Sequence, residues 1–256
     1  MNPTEAIPSI YFNGERIAHL LCYPRPNIDT LRSRIKELES LGVKAIIPYG
    51  PEALDGMKIL GKGCVSLVLL ANTSLGQVAL KIRRLDANRP DMCREAQLLM
   101  QANELGVGPK LIAQSANFLL MEFIDGLRPA EWLQSEESRC SFKPVFRSIL
   151  GDCRKLDSVG LDHGEMSTAH KHLIIPLRGK PVILDFESAS TTRHPSNVTS
   201  MCQYLFIGSE ISQTTRRLLP FDKVYLIDKL RKYKMTLAQR DFVEILFALG
   251  LESVKT

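Results

Sequence analysis

The chain has 256 residues, of which 45% are hydrophobic and 24% charged, with a formal net charge of +5. That length suffices for a sizeable core in one domain or in two lobes, and the balance is ordinary for a globular protein, which excludes a disordered, fibrous or low-complexity chain. The basic excess is small and reads as a solvated surface, so no nucleic-acid or ribonucleoprotein partner is indicated.

Residues 1–50 read as a βαβ-like extension of unassigned role. Short strands are expected at 9–12 and 17–22. Asn27-Ile28-Asp29 opens a helix that carries Leu31, Ile35, Leu38 and Leu41 on one face and stops at Gly42. Residues 43–47 then read as a strand, closed by Pro48-Tyr49-Gly50-Pro51.

Residues 51–125 are mostly strand. Runs at 57–60, 65–70 and 77–82 are β-like, and Asn72-Thr73-Ser74-Leu75-Gly76 joins the last two as a hairpin. Pro90 suits a first helical turn and Gly106 a stop, bracketing a helix that contains Glu95. Residues 118–123 form a further apolar strand. From about 130 the pattern turns helical. Phe142, Val145, Phe146, Ile149, Leu150, Cys153 and Leu156 keep a 3.6-residue spacing. Two short strands at 172–176 and 181–184 precede helices near 197–207, 221–233 and 237–249. Thr236 and Gln239 are placed for a capping box on the last helix. The whole predicts an α+β chain with a β-rich lobe at 51–125 and a compact helical lobe at 126–256.

The N-terminus lacks the basic start and apolar run of a signal peptide. No apolar stretch approaches the ~20 residues that span a membrane. The six cysteines are scattered with no C-x-x-C pair, which argues against a disulfide framework or a zinc site. Reduced thiols in a cytoplasmic protein with no membrane partner are the expectation.

Chemistry concentrates in four places. Leu60-Gly61-Lys62-Gly63-Cys64-Val65-Ser66 puts two glycines on a turn between strands, where backbone N–H groups can approach phosphate oxygens without an intervening Cβ. A plain hairpin would use glycine there too. Val78-Ala79-Leu80-Lys81 follows, with Lys81 at the end of an apolar strand pattern. A buried lysine needs an anion, and nucleotide phosphates or Glu95 on the next helix would supply one. His163-Gly164-Glu165 comes next in the chain. Last, Asp185-Phe186-Glu187 follows Val182-Ile183-Leu184, so Asp185 ends a buried strand as a hard oxygen ligand suited to Mg²⁺.

In that order these segments resemble the protein-kinase-like superfamily. The compact atypical branch fits best: the Rio kinases, the kinase subunit of the KEOPS complex and archaeal predicted serine/threonine kinases. The resemblance spans roughly residues 55–190. It implies a two-lobed protein-kinase-like fold that uses ATP with Mg²⁺ or Mn²⁺, and transfer of the γ-phosphoryl group to a protein serine or threonine, with the chain itself a candidate acceptor. Gly61, Lys62, Gly63 and Ser66 would form the phosphate loop, Ser66 standing where the pattern has a third glycine. Lys81 would grip phosphates with Glu95 positioning it, and the backbone of Glu122 and Phe123 would hold the adenine.

Glu165 would be the catalytic carboxylate, in place of the usual Asp. Asp185 would bind the metal. His170 stands where the family has Asn, and Glu187 where D-F-G has Gly; both are secondary metal candidates. His172 reads as an ordinary strand start. No A-P-E motif follows Asp185, so the usual peptide platform is missing. A small-molecule kinase of the aminoglycoside or choline type, and a nucleotide-binding pseudokinase or ATPase switch, are the competing readings.

Overall fold

The computed structural model describes residues 6–8, 11–12 and 14–252. Its chain divides into two compact units, Met1–Met100 with Pro109–Phe123, and Gln101–Gly108 with Ile124–Thr256.

The first unit is built on apolar strand segments, the two longest buried along most of their length. Strands β1 (Ile7–Pro8), β2 (Ala45–Ile47), β5 (Gly61–Lys62), β6 (Ser66–Thr73), β7 (Gly76–Arg83), β8 (Leu111–Gln114) and β9 (Phe118–Glu122) make one sheet of order β1-β2-β6-β7-β9-β8, with β5 also paired to β6. Every pairing is antiparallel. Leu67, Leu69, Ala71, Val78, Leu80, Ile82, Phe118 and Leu120 lie buried in one core cluster. Residues of α1 (Glu15–Leu21) and α2 (Ile28–Ser40) complete that cluster, among them Ile17, Leu20, Leu21, Leu31 and Leu38. Strands β3 (Glu52–Leu54) and β4 (Met57–Ile59) form a separate hairpin. Helix α3 (Cys93–Glu104) runs from the first unit into the second.

Two sequence expectations for the N-terminus change. Residues 17–21 are helical, because Ile17, Ala18, Leu20 and Leu21 are the buried positions, an i, i+1, i+3, i+4 stripe that a short apolar run does not distinguish from a strand, and Cys22 closes the helix. In the expected strand at 9–12, residues 9 and 10 lie outside the described residues, and Tyr11 and Phe12 form a turn. Strand β2, before residue 50, pairs with β6, Ile46 opposite Ala71, and so joins the central sheet.

The second unit is helical. Helix α4 (Pro129–Gln134) begins with Pro at its first position, and Glu131 reaches back to accept from the Arg128 N–H. Helix α5 (Glu136–Ser158) buries Phe146, Ile149, Leu150, Cys153 and Leu156. Trp132 and Phe206 both pack edge-on to Phe146. Strands β10 (Leu173–Ile174) and β11 (Val182–Ile183) pair antiparallel. Then come α6 (Asn197–Cys202), continued by a π turn at Gln203–Ile207, α7 (Glu210–Leu218), α8 (Lys223–Thr236) and α9 (Gln239–Ala248). The expected Thr236–Gln239 capping box does not form. Thr236 Oγ1 instead donates to Asp241 and accepts from the Ala238 N–H. Among the described residues no helix is long and apolar enough to cross a membrane.

Candidate active site

Strand parity positions Lys81. Its neighbours Leu80 and Ile82 belong to the core cluster shared with α1 and α2, so Lys81 faces the other way. There it stands opposite Val68 on one side and Leu119 on the other. Leu119 packs with Met92 and Ala96, which places this face of the sheet against the start of α3. Glu95 lies on that first turn. Lys81 Nζ donates to Glu95 Oε1 at 2.5 Å, and both residues are 3% exposed. Arg89 Nη1 is 3.8 Å from the other Glu95 oxygen. Desolvating a lysine is tolerated only with such an anion at hand.

The glycine segment forms a tight turn at the mouth of β5 and β6. Gly63 N–H donates to Ser66 O at 2.8 Å. Neither Gly61 nor Gly63 has a positive φ; a Cβ on Gly61 would meet nothing within 4 Å, and one on Gly63 would come no closer than 3.4 Å. The fold therefore does not demand glycine here, and what the two glycines preserve is open approach to the backbone. Ser66 is buried on β6, away from the turn's tip. Lys62 Nζ sits 4.6 Å above the Tyr23 ring, with Arg84 4.9 Å from the same ring. At the end of β9, Glu122 N–H is donated to Lys110 O, which removes it from the groups able to hold a base, while Phe123 packs edge-on to Tyr49.

The second unit gathers the remaining candidates. His163 is fully buried; its Nε2 lies 2.9 Å from Leu184 O and its ring 5.1 Å from that of Phe186. Burial pushes the imidazole pKa down to about 4, so it is neutral at physiological pH. Gly164 has φ +89°, and a Cβ there would lie 2.8 Å from Ser188 O and 2.5 Å from Arg193 Nη2. This glycine is required by the backbone, and it sets the direction in which Glu165 leaves the loop.

Glu165 Oε1 accepts from Ser188 Oγ at 2.5 Å, and its Oε2 lies 2.6 Å from His172 Nε2. His172 Nδ1 is 3.5 Å from Asp185 Oδ2. Asp185 holds φ +69°, a conformation uncommon for a residue with a side chain and one that concentrates at functional sites. Glu187 is half-buried, two residues further on.

His170, expected beside the metal, is exposed, its ring 6.5 Å from Tyr204. The imidazole that meets Glu165 and Asp185 is His172. The hairpin explains the exchange. Leu173 pairs with Ile183 and Leu184 N–H donates to His172 O, so position 172 is carried next to residue 185 while 170 remains on the preceding turn.

Three supporting residues went unread in the sequence. Asp157 on α5 accepts from Asn197 N, Asn197 Nδ2, Val198 N and Tyr233 OH. Burial raises its pKa, and those donors act against the rise. Asn197 Oδ1 in turn accepts from His163 N–H at 2.8 Å. Arg193 bridges Asp162 Oδ2 and Ser188 O. Asp157 and Asn197 are buried on helices of ordinary apolar pattern, where a lone polar residue on an apolar face is the available signal, whereas Arg193 is exposed on a bend outside any helix.

Among the described residues no three His, Cys, Asp or Glu side chains form a ready metal cage. One or two carboxylates suffice for Mg²⁺, which takes its other ligands from phosphate and water, so Asp185 fits such an ion.

The sequence model of the RIO domain matches residues 76–203, half of the chain. The chain belongs to the RIO family. It is thus an atypical kinase of the protein-kinase-like superfamily. Among solved structures it is similar to the Rio2 kinase of Chaetomium thermophilum, crystallised as an ADP/Mg²⁺-phosphoaspartate complex. That match has 18% identity and a TM-score of 0.43, and covers 86% of this chain and 84% of that one. No curated protein sequence matches.

Proposed function

We propose that this RIO-family chain transfers the γ-phosphoryl group of ATP, with Mg²⁺ or Mn²⁺, to a serine or threonine hydroxyl of a protein. The observation that carries the reading is the buried Lys81–Glu95 pair, formed behind an open glycine turn. A buried, prepositioned ammonium is a suitable grip for nucleotide phosphates.

Lys81 holds phosphate oxygens, and Glu95 fixes the direction of its side chain. Backbone N–H groups of the 61–66 turn approach the same oxygens. Asp185 would hold the divalent cation, with Glu187 a further oxygen donor, and a metal bound there would neutralise charge on the phosphates. Glu165 takes the proton of the attacking hydroxyl, and His172 keeps Glu165 in place. Ser188, already donating to Glu165 Oε1, marks where an acceptor hydroxyl would reach the carboxylate.

The test pairs two measurements. Calorimetric titration with ATP, with and without Mg²⁺, should show binding, and γ-labelled ATP should label a protein acceptor. Binding with no transfer to protein but transfer to small alcohols would replace this reading by a small-molecule kinase. Binding with no transfer at all would leave a nucleotide-dependent switch.

A further inference from the structure

We infer that a groove on the second unit, beginning two residues from Glu165, docks an acidic segment of the acceptor polypeptide. The inference rests on the phosphotransferase reading above for its purpose, though not for its geometry.

The groove encloses about 280 Å³. Ser167 lines one end, on the 3₁₀ turn Met166–Thr168 that directly follows Glu165. Ser200 and Gln203 form one wall, and Arg231 and Lys234 on α8 form the other. Ile227 and Leu230 supply an apolar floor. No Asp or Glu lines it.

Helix α8 sorts its cations. Lys229 is 3.1 Å from Glu244, and Lys232 is 2.8 Å from Asp241, both acids belonging to α9. Arg231 and Lys234, one turn apart on the groove side, are exposed, and neither has a carboxylate within ion-pair distance among the described residues. Two cations held together without neutralisation repel each other and favour an anionic guest. The wall opposite contains the π turn at Gln203–Ile207, a distortion that accumulates at functional sites.

The chemistry chooses the guest. Carboxylates paired with a guanidinium and an ammonium, beside a small apolar floor, suit a peptide that mixes Asp or Glu with an aliphatic residue. No aromatic side chain lines the groove, so it lacks the stacking platform that single-stranded nucleic acid uses. No A-P-E motif follows Asp185, and this groove would supply a peptide platform beside the loop that carries Glu165.

Fluorescence anisotropy with a short fluorescein-labelled Glu/Ser/Ile peptide, its Lys/Ser/Ile counterpart and a U-rich RNA tests the inference on the full chain. The acidic peptide should bind best, and less well as salt rises. Arg231→Glu with Lys234→Glu should weaken it about tenfold or more, Arg231→Gln with Lys234→Gln less, and Lys223→Glu, a charge reversal on α8 outside the groove, should not. Thermal melting checks that the exposed substitutions leave the fold intact. Equal affinity for the basic peptide, tighter binding of RNA, or full affinity in the double reversal overturns the inference. The two proposals fail separately. Acidic-peptide binding without phosphoryl transfer keeps the groove and sinks the phosphotransferase. Transfer to protein that ignores Arg231 and Lys234 does the reverse.

Discussion

His172 Nε2 lies 2.6 Å from Glu165 Oε2, and the opposite edge of the same ring faces Asp185. One imidazole thus touches both carboxylates on which the proposed chemistry depends. His172→Ala should therefore lower phosphoryl transfer about 10²-fold, the loss expected when a catalytic group drifts by ~1 Å. His172→Asn, which keeps a polar side chain beside Glu165, should lose less. His170→Asn should leave both rate and metal preference unchanged, because His170 is exposed on the turn that precedes β10. Rates in Mg²⁺ and Mn²⁺ for the three variants check this. A rate loss confined to His170→Asn would return that residue to the metal shell.

Glu165 is tested by a near-isosteric change. Glu165→Gln should remove about 10²–10⁴-fold of the transfer rate while sparing ATP affinity, since the amide cannot take the proton. Glu165→Asp should also fall, because the longer side chain already meets Ser188 and His172 and a shorter one would lose both contacts. Wild-type turnover in Glu165→Gln would refute the assignment.

Lys81→Met removes the buried ammonium from beside Glu95, with its 2.5 Å hydrogen bond. Breaking one side of a buried pair costs roughly 3–5 kcal/mol, whereas replacing both partners by apolar groups is often close to neutral. Lys81→Met should destabilise the fold, and Lys81→Met with Glu95→Leu should recover much of that stability while leaving nucleotide affinity weak. Denaturant titration and nucleotide titration read the two effects separately. Recovery of nucleotide affinity in the double variant would disprove the phosphate-gripping role.

What could be read from sequence follows from periodicity. Residues 65–70 and 77–82 are short apolar-rich runs on either side of a Gly-containing turn, which marks the central hairpin, and the α5 stripe from Phe142 to Leu156 stands out at helical spacing. The β3–β4 hairpin escaped notice although Asp55-Gly56 marks its turn, both residues at positive φ. Helix α7 escaped because its polar residues mask a stripe as short as Ile211, Ser212 and Thr215. His172 stands apart, since the sequence marks it only as a strand start: β10 begins at the next residue, and the ring it brings along lies near both Glu165 and Asp185. Three-dimensional register, not spacing along the chain, decides that position.

Asp157 links helices to the loop that carries His163 and Glu165. It accepts four hydrogen bonds, two of them from Asn197, whose Oδ1 receives the His163 N–H. Asp157→Ala leaves those donors buried without their acceptor, at about 1–3 kcal/mol for each unsatisfied group before relaxation. A loss of several kcal/mol and a fall in transfer rate are expected together. Tyr233→Phe removes one donor alone and should cost only about 1 kcal/mol. Activity preserved in a folded Asp157→Ala protein would show that the loop does not rely on this support.

His163 makes stability depend on pH. Burial lowers its pKa to about 4 in the folded chain, against about 6.5 when unfolded. Between those values the unfolded state binds more protons, so stability rises with pH. Read in the acid direction, stability is intact above about pH 6.5, declines through the window and stops declining on this account below about pH 4. The gap corresponds to about 3 kcal/mol at full extent. His163→Gln keeps a side chain of similar reach that can still donate to Leu184 O, and it does not titrate. Urea unfolding at several pH values should therefore show a steep wild-type slope between pH 4 and 6.5 and a shallower one in the variant. Equal slopes would mean that His163 takes up its proton in the folded state as readily as in the unfolded one.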